Sequence, residues 1–281
     1  MELEQPDFTT NPSIAFMHKP IVFAAFLATG ICHGSTTLID VSFPTGTGTN
    51  PTFLEIDNGV GANTWTQATG VISTSTANNS AVGAASDTTT DFTALGSDSL
   101  VLTANVSSVT GTLIANGMFV GFQRRINGGT GADLWNNLST SFGMVIPGSA
   151  TVGNGTRHVG AGGNAGAGRY QGSDYGIATL ASIQDGFDVT LTVDSSGWDL
   201  AIVGLETAGA AAITGGSGTW GTGGINAFAT FNTDMRAGAS YQTTAGAGDM
   251  TFSRITLTQV PEPSTFALVG LAALGLLRRR R

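Results

Sequence analysis

Apolar and polar residues alternate one by one over several short stretches of this chain. Phe187, Val189, Leu191 and Val193 interleave with Asp188, Thr190, Thr192 and Asp194. A period of two places each set on one face of an extended backbone, so the stretch predicts a half-buried β-strand. Ser195-Ser196-Gly197 supplies turn residues, and Trp198, Leu200 and Ile202 then resume the alternation. The whole, D-V-T-L-T-V-D-S-S-G-W-D-L-A-I-V, reads as a β-hairpin. Leu100, Leu102, Ala104 and Val106 repeat the pattern against Val101, Thr103, Asn105 and Ser107. Short apolar runs bounded by Gly or Pro, Met118 to Gln123 and Phe142 to Ile146, predict further strands. Leu38 to Phe43 opens the series, and Ile225 to Phe231 and Met250 to Leu257 close it. No stretch of the body shows a 3.6-residue period with caps. Many short strands separated by Gly-rich turns predict an all-β fold, an antiparallel β-sandwich or jelly roll, in one domain over residues 35–258.

The pattern changes at both ends. Ile21 to Ile31, I-V-F-A-A-F-L-A-T-G-I, is apolar throughout and follows His18 and Lys19. With Met17 as the start, residues 17–34 read as a signal peptide with a short apolar helix, and Cys32 and Gly34 as the small residues before cleavage. Residues 1–16 carry Glu2, Glu4 and Asp7 and no basic residue, and read as an upstream extension or a disordered stretch. Ile31 before Cys32 is bulkier than a lipoprotein signal has at that place.

Residues 259–281 form the other departure. Pro261-Glu262-Pro263 is a stiff, extended tripeptide, because each proline fixes φ and restricts the residue before it. Phe266 to Leu277 is an uncharged, mostly apolar run, with Phe266, Leu268, Val269, Leu271, Leu274, Leu276 and Leu277 as its large residues. Arg278, Arg279, Arg280 and Arg281 end it in four positive charges. As a helix the run rises about 18 Å, short of the roughly 30 Å hydrocarbon core, so snorkelling arginines must supply much of the anchoring. The three parts in this order resemble the PEP-CTERM sorting signal of Gram-negative bacteria. The resemblance implies export, a precursor held transiently in the inner membrane, and recognition by an exosortase-type sorting enzyme. Release or transfer to the cell envelope or extracellular matrix then follows. The body more loosely resembles the concanavalin-like or laminin-G-like jelly rolls of exported bacterial proteins. That likeness lies in the Trp198 hairpin and in the last strand, R-I-T-L-T-Q-V-P-E-P, running into the signal.

Composition narrows the chemistry. The chain has 41 Gly in 281 residues and only 11% charged residues. Low charge and abundant Gly would suit disorder, but apolar content is 41% and patterned. From Ser35 to Pro263 six arginines face sixteen acids, a net of −10, which argues against nucleic acid as a partner. Cleavage after Gly34 removes the only cysteine and the only lysine, and leaves His158 as the one histidine. A lone His makes no transition-metal site of the usual kind. Without lysine there is no phosphate-binding G-K-[ST] loop, and no G-x-S-x-G elbow occurs. His158 therefore reads as a solvated residue of a Gly-rich surface loop.

Three constellations remain. Glu55 and Asp57 share a strand face, as paired acid chemistry requires. They resemble the start of the E-x-D-x-E motif of laminarinase-like glycosidases, but Gly59 stands where the third acid belongs. Asn58-Gly59 reads instead as a turn after a short edge strand. Asp174, Asp185, Asp188, Asp194 and Asp199 gather near the central hairpin, and a structural calcium ion is the one cofactor they could hold. Of the four tryptophans, Trp135 and Trp220 stand in Gly/Asn-rich loops and are the candidate carbohydrate contacts, while Trp198 belongs to the core pattern. The sequence thus predicts no enzyme but a structural or adhesive surface protein. A module binding matrix polysaccharide is the alternative, and a glycoside hydrolase the third reading.

Overall fold

The computed structural model describes residues 34–44, 52–57, 60–77, 80–111, 113–123, 141–146, 157–160, 169–172, 184–204, 216–220, 234–243 and 246–262. All fall within one unit, Gly34–Glu262. The expected signal helix and C-terminal apolar helix lie outside them, as does the expected strand at 225–231.

Alternation produces most of the first sheet. β1 (Thr36–Ser42), β3 (Thr64–Thr66), β4 (Val71–Thr74), β6 (Ser99–Val109), β11 (Phe187–Val193), β12 (Gly197–Gly204), β13 (Gly216–Thr219) and β15 (Gly248–Val260) build it. The order is β13-β12-β11-β6-β15-β4-β3, with β1 also beside β15. The central hairpin forms as its pattern requires. Val193 pairs with Trp198 and Phe187 with Gly204, and β11 continues onto β6 with Leu191 opposite Leu102. Along β11 every second residue is buried and the others are half-exposed. One face of this sheet is therefore dry and the other wet. β15 extends to Val260, two residues past the expected domain end.

The second sheet obeys a different rule. β2 (Phe53–Asp57), β5 (Ser80–Ser86), β7 (Leu113–Gln123), β8 (Ser141–Ile146), β9 (Arg157–Gly160), β10 (Arg169–Gly172) and β14 (Arg236–Thr243) form it. Its order is β10-β9-β8-β7-β14-β5-β2. Every residue of β5 is buried, and every residue of β14 after Arg236. Val82, Ala84, Val120, Phe122, Ala239 and Tyr241 point inward and join the first sheet's dry face in one core. Each large side chain buried there contributes roughly 1.5–3 kcal/mol. Ile56, Ala81, Ala85 and Phe119 point the other way and form a second buried cluster on the outer face. Small residues make this thin layer. Gly121 stands opposite both Gly143 and Gly238. A Cβ on Gly121 would come within 2.4 Å of the Phe142 carbonyl, so only glycine permits that approach.

Two of these strands correct the expectation of a Gly-rich surface loop around His158. Arg157–Gly160 and Arg169–Gly172 pair with each other, and His158 stands opposite both Gln171 and Val145. His158 is thus a strand residue at the far side of the sheet. Its tetrapeptide is too short to show a period, and pairing with β8 decides its state.

Candidate functional site

β15 positions the C-terminal segment. One edge pairs with β6 as far as Val260 opposite Ser99, and the other pairs with β1, where Gln259 faces Thr36. Pro261 has no N–H to continue a ladder, so the strand ends there. Val260 is 38% exposed, Pro261 half-buried and Glu262 exposed. The first two residues of the P-E-P tripeptide thus leave the sandwich at its surface. Pro263 and the expected anchor residues from Phe266 to Arg281 lie outside the described residues. Among the described residues no helix is long and apolar enough to cross a membrane.

The acidic residues of the central hairpin serve the fold. Asp194 Oδ1 accepts hydrogen bonds from Ser196 N at 2.7 Å, Ser196 Oγ at 2.6 Å and Gly197 N at 2.9 Å. Burial alone would raise its pKa, but these three bonds together outweigh it and hold the carboxyl below the ordinary aspartate value. Asp188 accepts from Asn105 Nδ2 at 2.7 Å. Asp185 and Asp199 are exposed, and Asp174 lies outside the described residues. Among the described residues no three His, Cys, Asp or Glu side chains gather as metal ligands would.

Trp220 belongs to the same region. It follows β13, half-buried, with its ring 5.3 Å from Phe142, which is itself 6.4 Å from Trp198. Its Nε1 donates to the Asp194 carbonyl at 2.7 Å and its backbone N to Ser196 O at 3.2 Å. Trp198 is buried, as its pattern predicts. An open groove of about 410 Å³ lies beside the hairpin, lined by Thr192, Asp194, Ser196 to Asp199, Ser217 and Thr219. It offers hydroxyl groups and exposed Asp199. Trp135 lies outside the described residues.

Glu55 and Asp57 sit on β2, the edge strand that the sequence predicts, and both are engaged. Glu55 Oε2 accepts from Trp65 N at 2.6 Å. Asp57 Oδ1 accepts from Asn63 Nδ2 at 2.8 Å. Asn63 is buried and ties this corner together. Its amide also donates to the carbonyls of Val60 at 3.0 Å and Ala81 at 3.3 Å, while its oxygen accepts from Ser75 N at 2.8 Å and from Ser80 Oγ. The two acids brace the edge where the sheets meet; Trp65, packed edge-on or tilted against Phe43, Phe53 and Phe252, fills the same corner.

One group of polar residues finds no such use. Gln123, Ser240 and Gln242 occupy the outer face of the seven-stranded sheet, at 1%, 0% and 8% exposure. Gln123 Nε2 and Oε1, Ser240 Oγ and Gln242 Oε1 make no hydrogen bond. Each buried polar atom left so costs about 1–3 kcal/mol. Sequence reasoning missed them, because a Gln in a short apolar run carries no signal of its own.

Comparison with known proteins matches both ends of this description. Residues 259–281 match the PEP-CTERM protein-sorting motif. No curated protein matches the chain in sequence. Solved structures resemble the body. Peanut lectin with a nine-residue peptide superposes with a TM-score of 0.51 at 13% identity, over 80% of this chain and 98% of that one. The Bauhinia forficata lectin in complex with GalNAc gives 0.50 at 10%, over 80% and 99%. Lectin II from Ulex europaeus gives 0.50 at 8%, over 80% and 100%. At these identities the likeness establishes the fold: the body is a lectin-type, concanavalin-like β-sandwich, and the chain ends in a PEP-CTERM sorting motif.

Proposed function

We propose that this chain is an exported precursor whose sandwich acts at the cell surface or in the extracellular matrix as a non-enzymatic structural or adhesive protein. The sorting motif at residues 259–281 carries the reading. It implies a Gram-negative precursor, held in the inner membrane by the apolar run and Arg278 to Arg281. An exosortase-type enzyme acts at Pro261-Glu262-Pro263, and the mature body starts near Ser35. The exposed exit of the last strand at Val260 to Glu262 supports it, since a processing enzyme must reach that segment. Mass spectrometry of the exported protein tests the reading. A mature form starting near Ser35 and lacking the arginine block agrees with it; an exported form that keeps residues 1–16 and Arg278 to Arg281 contradicts it.

A second reading, a module that binds matrix polysaccharide, is favoured by one observation. The open groove beside the central hairpin is lined by the hydroxyl-bearing residues Thr192, Ser196, Ser217 and Thr219. The lectin fold of the body agrees with it, and Trp135 and Trp220 are its other candidate contacts.

A further inference from the structure

We propose that Gln259 and Asp98 are positioning residues for processing: they lock the last strand up to Val260, so that the sorting enzyme engages the chain only from Pro261 onward and the mature body keeps β15 whole. The proposal rests on the sorting reading and adds to it the limit that the fold sets on the substrate.

An enzyme that cuts an extended chain takes hold of its backbone N–H and C=O groups, as a sheet edge does. A strand paired on both edges has none to give. β15 is such a strand near its end. Arg254 faces Asn105 on β6 and Ser42 on β1, and Gln259 faces Leu100 and Thr36. Val260 still faces Ser99. Pro261 is the first residue past the ladder and brings no N–H to it.

Strand ends fray at little cost unless something holds them. Here the holding group is a polar side chain where the alternation calls for an apolar one. Ile255 and Leu257 are 4% and 0% exposed, and half-buried Gln259 continues their face of the strand. Gln259 Nε2 donates to Asp98 Oδ2 at 2.7 Å. A leucine there would bury more apolar surface; the amide gives instead a directional bond to a carboxylate, stronger than one between neutral groups. Asp98 is itself fixed. Its N donates to Leu95 O at 2.9 Å, at the end of the short 3-10 turn Phe92–Leu95. Phe92 and Leu95 belong to the core, and Asp91 caps the turn by accepting from Thr93 N at 2.8 Å. The lock is thus mounted on the core, two residues ahead of the first proline of the motif.

The test follows the full precursor, tagged inside the body, by pulse-chase in an exosortase-bearing Gram-negative host, with mass spectrometry of the released product. Gln259→Leu and Asp98→Ala open the lock, and Asp98→Asn keeps an acceptor for the amide. Ser99→Cys with Val260→Cys, in a chain with Cys32→Ser, closes the strand end by a disulfide, since facing residues of an antiparallel pair lie within its reach. Thiol labelling verifies the bond. The wild type, Asp98→Asn and the disulfide form should each give one product that ends beyond Val260, at rates within about twofold of one another, because none of them needs the strand to open. Gln259→Leu and Asp98→Ala should add products that end at or before Val260, about a tenth of the total or more, as the freed end frays. Gln259→Leu should do so while melting no lower than the wild type. A disulfide form processed about tenfold more slowly or worse would mean that the enzyme must unzip the strand, and would overturn the proposal. So would lock variants whose products all end where the wild type's does. Either result leaves the sorting reading standing. A wild type that keeps Arg278 to Arg281 on export would overturn both.

Discussion

Thr36 and Gln259 face each other across the β1–β15 pair. The start of the folded body and its exit into the sorting motif therefore lie side by side, on one end of one sheet. Trimming at either end must stop short of this pair. A chain starting at Ser35 should melt like the longer one. A chain starting at Phe43 loses β1 with Ile39 and Val41, which are 1% and 0% exposed, and should lose at least about 3 kcal/mol in urea unfolding. Equal stability of the two truncations would mean that β1 is dispensable and the adjacency incidental.

Trp220 should matter to stability through two separable terms. Trp220→Phe removes the hydrogen bond to the Asp194 carbonyl but keeps a ring near Phe142, and should cost about 1 kcal/mol. Trp220→Ala also removes the packing and should cost about 2–3 kcal/mol. Chemical denaturation separates the two. If both variants are as stable as the wild type, the ring is not packed and is free for a ligand.

Acid should loosen the central hairpin turn. The three bonds to Asp194 hold its folded pKa below the unfolded value of about 3.9. The carboxylate's contribution is then fully present above that value and is lost as pH falls through the folded pKa. Asp40 is shifted the same way, first by its hydrogen bond from Arg254. That pair is about half exposed and contributes little. Melting temperature should therefore drop below about pH 4. Asp194→Ala should start lower and show a flatter acid limb, whereas Asp40→Asn should track the wild type. An Asp194→Ala curve parallel to the wild type would assign the acid sensitivity elsewhere.

Asn63 and Glu55 should part company on substitution. Asn63→Ala strips five hydrogen bonds from a buried corner and should cost about 3 kcal/mol. Glu55→Gln keeps an acceptor for Trp65 N and should stay within about 0.5 kcal/mol of the wild type. Hydrolysis of a β-glucan by the wild type that Glu55→Gln abolishes would return Glu55 and Asp57 to the catalytic reading.

The legibility of the sequence followed the wetness of the sheets. β6, β11 and β15 each have one dry face, and their alternation announces them. β5, S-A-V-G-A-A-S, and β14, R-A-G-A-S-Y-Q-T, are buried on both faces by small residues, so no alternation survives and their β propensity is poor. The site divides in the same way. The sorting motif is linear and could be read directly. Trp220 looks like a loop residue because its partner, Asp194, lies 26 positions earlier and is met only when β12 pairs with β13.

The sorting reading is tested most directly by fractionating cells that carry a tag inside the body. The wild type is compared with variants in which Pro261-Glu262-Pro263 or Arg278 to Arg281 is replaced. Replacing the tripeptide removes little apolar surface, so the precursor should still insert but accumulate uncleaved in the membrane fraction. Replacing the arginines should weaken retention, since each basic residue near an anionic leaflet contributes about 1 kcal/mol. A tripeptide variant that is processed and released like the wild type would contradict the account.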